Sequence, residues 1–315
     1  MSGEARGKEV LPKEVPITLP GGIPMVFRRI VDAGETAEFW RGSRGESSVE
    51  SWYDSSVEEP RHRVRLRQPY YLGVNPVTQA QYRAMAAGCL AALQRLDGNK
   101  GEDPSGFKGD DRPVEQVDFQ DAEVVAAWLT ASGLLEAAGL PPSTLACLPT
   151  EAQWEYACRT GTETEYWNGD GAAALAEVGW FAGNSGNETQ PVAWKPANEF
   201  GLHDMHGNVW EWCRDAWNEA AYRDCPDGVI DPCESDSKST VRVLRGGSWG
   251  NTARICRSAI RSGYRAGNRY RGFGFRLCLL PGPVAASPDQ ERAESGDGGG
   301  PDLDLARERL PERPA

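Results

Sequence analysis

Residues 242–278, RVLRGGSWGNTARICRSAIRSGYRAGNRYRGFGFRLC, place the tightest constraint on what this chain can become. Gly, Arg and small polar residues dominate, and no period of 2 or 3.6 is sustained over most of the length. Such a segment cannot assemble a core from itself and needs a scaffold around it. Its ends are fixed: 241–244 reads as a short strand entering the Gly246-Gly247 turn, and 273–280 as a closing strand. The residues between these ends are expected to be displayed rather than packed.

Charge sets the same stretch apart. The chain is formally −12, yet residues 237–288 contain no Asp or Glu and carry Lys238 with nine arginines. Two readings are open. The planar five-donor guanidinium can stack on aromatics and bond carbonyls inside a loop-rich fold. Alternatively, the arginines form a cationic face for an anionic or carboxylate-bearing ligand.

At 315 residues with 39% hydrophobic content and eleven Trp, the chain can bury a sizeable core. No apolar run is long enough for a membrane span, and MSGEARGKEVLPKEVP has no apolar signal-peptide core, so a cytoplasmic protein is expected. Eight cysteines (89, 147, 158, 213, 225, 233, 256, 278) in a chain of this length are expected to be mostly reduced and buried. Cys225 and Cys233 bracket an acidic loop and could close it in an oxidising compartment. No C-x-x-C occurs, which leaves zinc ribbons and thioredoxin-type chemistry without support.

Along the chain, residues 1–16 read as a flexible N-terminus and 17–33 as a strand and turn. Residues 42–60 read as a loop, and 63–72 as one strand with Val64 and Leu66 on one face. Thr78 with Gln81 predicts a capping box opening a helix to about residue 96. Asp118 with Asp121 starts a second helix, with Val124, Ala127 and Trp128 at helical spacing. Thr150 with Gln153 starts a third, with Trp154, Ala157 and Cys158 on one face. Residues 161–198 look irregular and need something else, such as a metal, to hold them. Residues 281–315 form an acidic Pro/Gly tail read as disordered, leaving one domain over 17–280.

The segment NEFGLHDMHGNVWEWCRDAW (198–217) carries the densest chemistry. Asp204 and Glu211 bracket Gly207-Asn208; two carboxylates and carbonyls freed by a glycine turn suit Ca²⁺, a hard ion wanting six to eight oxygens. A turn with satisfied carboxylates has the same spacing. A three-His metal site would need His62, His203 and His206 together.

Four stretches, EPRHRVRLRQPYYLGVNPVTQAQY (59–82), LPTEAQWEYACRTG (148–161), NEFGLHDMHGNVWEWC (198–213) and RVLRGGSW with CRSAIR and GFGFRL, occur in an order that resembles the formylglycine-generating enzyme, or sulfatase-modifying factor, family. The resemblance implies an α+β fold of C-type-lectin-like type with much irregular structure. It also implies structural Ca²⁺, held by Asp204, the carbonyls of Gly207 and Val209, and Glu211. In the family's oxidases two cysteines after the Gly-Gly-Ser turn bind copper and activate O₂; here the second position is Cys256 but the first is Asn251. One thiolate beside an amide is a poor copper(I) site. A branch that oxidises histidine betaines uses a three-His iron site and an extra helical domain, and this chain has neither.

A third branch serves as variable proteins of diversity-generating retroelements, in which AAY codons near the 3′ end of a gene become NNY. Every residue from Gly250 to Phe273 can be written NNY, and Glu, Gln, Lys, Met and Trp, which cannot, are absent there. The leading expectation is therefore a non-catalytic, monomeric binding protein. Its ligand face would be Trp249, Gly250, Asn251, Thr252, Ile255, Ile260, Ser262, Gly263, Tyr264, Tyr270, Gly272 and Phe273. Its partner would be a protein or other macromolecule, with nothing favouring a membrane or nucleic acid. The alternative is a formylglycine-generating-type oxidase using Cys256 and copper on a cysteine or thiol.

Overall fold

The computed structural model describes residues 11–45, 53–96, 98, 101–236 and 238–282. In chain order the elements are β1 (Glu14–Leu19), β2 (Ile23–Val31), β3 (Ala37–Arg41), β4 (His62–Leu66), β5 (Tyr70–Gly73), α1 (Gln79–Leu93), α2 (Phe119–Ala131), α3 (Leu134–Ala137), β6 (Leu145–Cys147), α4 (Glu151–Arg159), α5 (Gly171–Val178), β7 (Trp210–Ala216), β8 (Val229–Ile230), β9 (Val241–Arg245), β10 (Arg261–Arg265), β11 (Phe273–Gly274) and β12 (Cys278–Leu280). They form an α+β fold with three sheets, ordered β1-β2-β5-β12-β6, β10-β9-β7-β11 and β3-β4-β8.

The five-stranded sheet is the central layer, because its inner strands are apolar on both faces. Alternation sends Tyr71 and Leu279 into the core beneath α1 and α2, and Tyr70, Leu72, Cys278 and Leu280 into the core beneath α4. Helix starts follow the caps. Thr78 Oγ1 accepts from Gln81 N (3.2 Å) while Gln81 Oε1 accepts from Thr78 N (3.0 Å). Asp118 with Asp121 and Thr150 with Gln153 repeat this exchange at α2 and α4. α1 and α2 approach at Gly88, where a Cβ would lie 2.2 Å from Trp128 Nε1.

Several expectations need correction. Leu11 and Val15 are buried and β1 opens at Glu14, so the folded unit includes residues expected to be flexible. Residues 1–10 and the tail from 283 onward lie outside the described residues. The strand expected over 63–72 is two strands in different sheets. Pro69 has no N–H, and Arg67 N and Gln68 N both donate to Asp231 Oδ1 (2.9 and 3.3 Å), turning the chain between them. α2 buries Ala122, Val125, Ala126 and Leu129 rather than the Val124–Ala127–Trp128 face; Ala127 is exposed. The closing strand is broken into β11 and β12 around the buried Arg276.

Residues 161–198 contain α5, and hydrogen bonds hold the rest. Ala182 N donates to Asn251 O (2.8 Å), Ser185 Oγ to Trp249 O (2.9 Å), and Gln190 N to Asn208 Oδ1 (3.0 Å). This long loop is thereby tied to the turn at 248–251 and to Asn208. No helix among the described residues is long and apolar enough to cross a membrane.

Candidate binding surface

The stretch after β9 is anchored first by the Gly246-Gly247-Ser248-Trp249 turn. Gly247 has φ +75°, and a Cβ there would meet Cys256 Sγ at 2.6 Å and Ile255 O at 2.7 Å, so only glycine fits without displacement. Asn251 Oδ1 closes the turn by accepting from Ser248 N (2.9 Å) and Ser248 Oγ (2.8 Å). Trp249 N donates to Asn208 O (2.9 Å), and its indole Nε1 donates to Arg271 O (2.9 Å). One indole thus joins the beginning of the stretch to its end.

The middle is packed, contrary to expectation. Ile255, Cys256, Ala259 and Ile260 are buried, and Ile255 and Ile260 belong to the main core with Trp212 and Phe273. Ile255, Ile260 and Phe273 therefore cannot offer side chains to a ligand as expected. Arg257 forms a two-pronged pair with Glu58 (3.2 and 2.9 Å), and Arg261 with Glu151 (2.7 and 2.8 Å). β10 then pairs with β9, setting Ser262 opposite Leu244 and Tyr264 opposite Arg242. Gly263 sits on the Trp217 ring, where a Cβ would come within 2.4 Å, and Gly272 lies against Ser248.

What remains outward is a smaller set. Gly250, Thr252, Arg254, Tyr264, Arg265, Tyr270 and Arg271 are exposed, and Trp249, Asn251, Ser262, Gly263 and Gly272 are half-buried. Tyr264 and Tyr270 are 38% and 52% exposed yet stand edge-on to each other (6.0 Å) and to Phe273 (4.8 and 5.0 Å). The buried Phe273 is the floor of this cluster. Phe107, from the loop before α2, was missed in the sequence. It stands edge-on to Trp249 at 5.3 Å with Arg271 over its ring at 5.5 Å. Its only signal was being the lone aromatic in a charged loop.

Burial divides the arginines into two groups. Arg245, Arg257, Arg261 and Arg276 are buried and paired with Glu, and Arg269 pairs with Asp118 and Asp121. Arg254, Arg265 and Arg271 are exposed, as is Lys238.

The turn expected to hold calcium is built differently. Arg276 Nη2 and Nε contact Glu211 Oε1 (2.9 Å) and Oε2 (3.0 Å), and Trp154 Nε1 donates to Oε2 (2.7 Å). Asp204 accepts from Ala193 N (2.9 Å) and Asn208 Nδ2 (3.3 Å), and burial raises its carboxyl above the usual range. Gly207, at φ +79°, packs on the Trp180 carbonyl, where a Cβ would lie 2.0 Å away. With a guanidinium against both Glu211 oxygens, Asp204, Gly207, Val209 and Glu211 do not fit a calcium ion as a set. We expect chelator to leave Tm unchanged, whereas Arg276→Gln should cost about 3–5 kcal/mol by stranding buried Glu211. A chelator-dependent fall in Tm, read by thermal melting, would overturn this assignment.

Copper fits no better. Cys256 is buried and its thiol is pushed up to about 12 by burial, while the Asn251 amide is committed to Ser248. Copper(I) prefers soft thiolates, and one protonated thiol beside a hydrogen-bonded amide does not supply them. Cys158 lies 3.6 Å from His206 Nε2, but burial pushes that thiol up to about 12 and that imidazole down to about 4. The pair is a neutral contact inside the core rather than an activated nucleophile.

The chain as a whole resembles known proteins. Residues 31–279 match the Sulfatase-modifying factor enzyme 1-like domain. The chain belongs to the sulfatase-modifying factor family. Serine/threonine-protein kinase pkn1 of Chlamydia caviae is 31% identical over 77% of this chain, and the chain spans only 36% of its length. The formylglycine-generating enzyme of Streptomyces coelicolor is 29% identical over 69% of this chain and 77% of its own. Among solved structures, Treponema denticola variable protein 1 superimposes with a TM-score of 0.68 at 25% identity, over 86% of this chain and 100% of that one. The family's domain thus occurs in proteins of quite different name, so family membership alone does not assign an activity.

Proposed function

We propose that this member of the family is a non-catalytic binding protein whose ligand face is the outward part of residues 249–273, a stretch its gene can vary. One observation carries the reading. Within one stretch, residues 246–248, 255–261 and Phe273 are turned inward to hold the frame, and 249–254 and 262–272 between them are exposed or half-buried. Tyr264 and Tyr270 supply rigid contact area at low entropy cost, and Thr252, Ser262 and Arg271 supply adaptable polar contacts, as in paratopes. Likeness to a variable protein over that protein's whole length supports the reading, as does the NNY-writable composition of 250–273. The partner is a protein or another macromolecule. The protein's setting in this reading is the cytoplasm, where thiols are kept reduced.

Sequencing the locus tests the variability. A reverse transcriptase gene beside a near-copy of the 3′ coding region, differing at template adenines, is expected, and its absence would remove that part of the reading. The rival is a formylglycine-type oxidase, favoured by likeness to the Streptomyces coelicolor enzyme. With copper, reductant and a cysteine peptide, no oxygen-dependent aldehyde should form. Turnover that disappears in Cys256→Ser would establish the oxidase instead.

A further inference from the structure

The sheet edge at β6 brings two cysteines together that no part of the binding face uses. Cys147 and Cys278 are directly opposite in the antiparallel β6–β12 pair. Gly73 N donates to Leu277 O (2.9 Å), so residues 277 and 279 aim their backbone groups at β5 and Cys278 aims its own at β6. On the other strand, Thr130 Oγ1 accepts from Ala146 N (2.9 Å) and donates to Ala146 O (3.3 Å), leaving Cys147 as the residue facing β12. The two cysteines therefore form a hydrogen-bonded antiparallel pair, for which Cα atoms lie about 5.5 Å apart. A disulfide spans roughly 4.4–6.8 Å between Cα atoms. Opposite residues also project to the same face, which sets the two thiols side by side.

We propose that Cys147 and Cys278 are a peroxide-sensitive dithiol that closes to a disulfide across the β6–β12 pair. Cys147 reacts first, because it is partly exposed on an edge strand while Cys278 is fully buried. The contact with Cys278, and then the Arg214 guanidinium, favour the Cys147 thiolate against the effect of burial. The Cys147 thiolate attacks one oxygen of hydrogen peroxide, the O–O bond breaks, and sulfenic acid and hydroxide form. The Cys278 sulfur then attacks the Cys147 sulfur, its proton joins the departing hydroxide, and water leaves. Two thiols and one peroxide become one disulfide and two waters.

The bond would join the strand following the Phe273–Arg276 anchor to the strand preceding α4. It encloses the whole displayed stretch in one covalent loop, and it does not depend on that stretch being a ligand face. Cys233, which shares the Arg214 guanidinium with both cysteines, is the competitor. The experiment treats the folded full chain with graded hydrogen peroxide, blocks remaining thiols with an alkylating agent, and maps peptides by non-reducing mass spectrometry. The expected result is loss of two thiols, a 147–278 cross-linked peptide two hydrogens lighter, and its reversal by a dithiol reductant. In Cys278→Ser, Cys147 should instead be trapped by a sulfenic-acid reagent. A link between Cys147 and Cys233, or between Cys225 and Cys233, or no cross-link while other thiols oxidise, would overturn the proposal.

Discussion

Glu151→Gln should unfold the protein or bring it close to unfolding. Both carboxylate oxygens of Glu151 are buried among three guanidiniums: Arg41 (2.8 Å), Arg245 (3.3 Å) and Arg261 (2.7 and 2.8 Å). Beside it, Glu155 takes Arg245 (2.6 Å), Arg159 (2.9 Å) and the Gly42 N–H (2.9 Å), and Tyr222 OH donates to both carboxylates. Burial alone would raise these carboxyls, but the guanidiniums outweigh it. Arg261, Arg41 and Arg245 hold Glu151 well below its usual range, and Arg159, Arg245 and Arg41 hold Glu155 at about 2.

Removing one charge leaves four buried guanidiniums sharing Glu155. Breaking a buried pair costs about 3–5 kcal/mol, against a total stability of roughly 5–15 kcal/mol for a folded domain. The exposed Arg63–Asp227 pair, though bonded at 2.7 Å, sets the comparison: Arg63→Ala should cost far less, because solvent screens the pair. The pH dependence has a definite sign. Folded-state values lie below the unfolded ones, so the stability from Glu151 and Glu155 is complete above the unfolded carboxyl range. It is lost progressively as pH falls below the unfolded carboxyl range and through the folded values, near 2 for Glu155. Urea unfolding at neutral pH and near pH 4 measures both. A cost below about 1 kcal/mol for Glu151→Gln would show that this cluster does not hold the frame.

This cluster also marks where the sequence stops being readable. Local signals were legible because their partners are three residues apart. Thr78 with Gln81, Asp118 with Asp121, and Thr150 with Gln153 all start helices where the capping pattern places them. The frame's charges were not. Nothing local marks Glu151 and Glu155 as buried, and Glu211 reads as a calcium ligand; the arginines paired with them, Arg159 apart, lie from 65 to 110 positions away, so no local pattern pairs them. β7 was missed for a related reason. Its buried faces include Glu211 and Asp215, which break the apolar alternation by which a strand is recognised. For the binding surface, the opening turn was legible from Gly-Gly-Ser-Trp, whereas the closing strand read over 273–280 is interrupted at Arg276. The inward turn of 255–261 was not, because Ile255 and Ile260 are isolated apolar residues among Arg and Ser, and a 3-10 turn followed by one strand leaves no regular period.

That inward turn gives the last large effect. Ile260→Asn should be severely destabilising, and Ile255→Asn nearly so, although both are changes an NNY codon permits. Each side chain is at most 1% exposed and packs in the core that contains Trp212 and Phe273. Truncating such an isoleucine costs about 2–5 kcal/mol, and a buried amide without partners adds roughly 1–3 kcal/mol. Exchanging Thr252 or Ser262 should instead stay within about 0.5 kcal/mol. Tyr264 and Tyr270 are intermediate, because losing an edge-on contact with Phe273 gives up roughly 0.5–1.5 kcal/mol while their exposed area remains free to change. A binding surface of this kind can therefore vary at Thr252, Ser262, Tyr264 and Tyr270 together but not at Ile255 or Ile260. Chemical denaturation of the combined four-site exchange beside each single Ile→Asn variant reads this directly. If the four-site exchange unfolds the chain while Ile260→Asn is tolerated, inward and outward positions have been assigned the wrong way round, and the proposed ligand face fails with them.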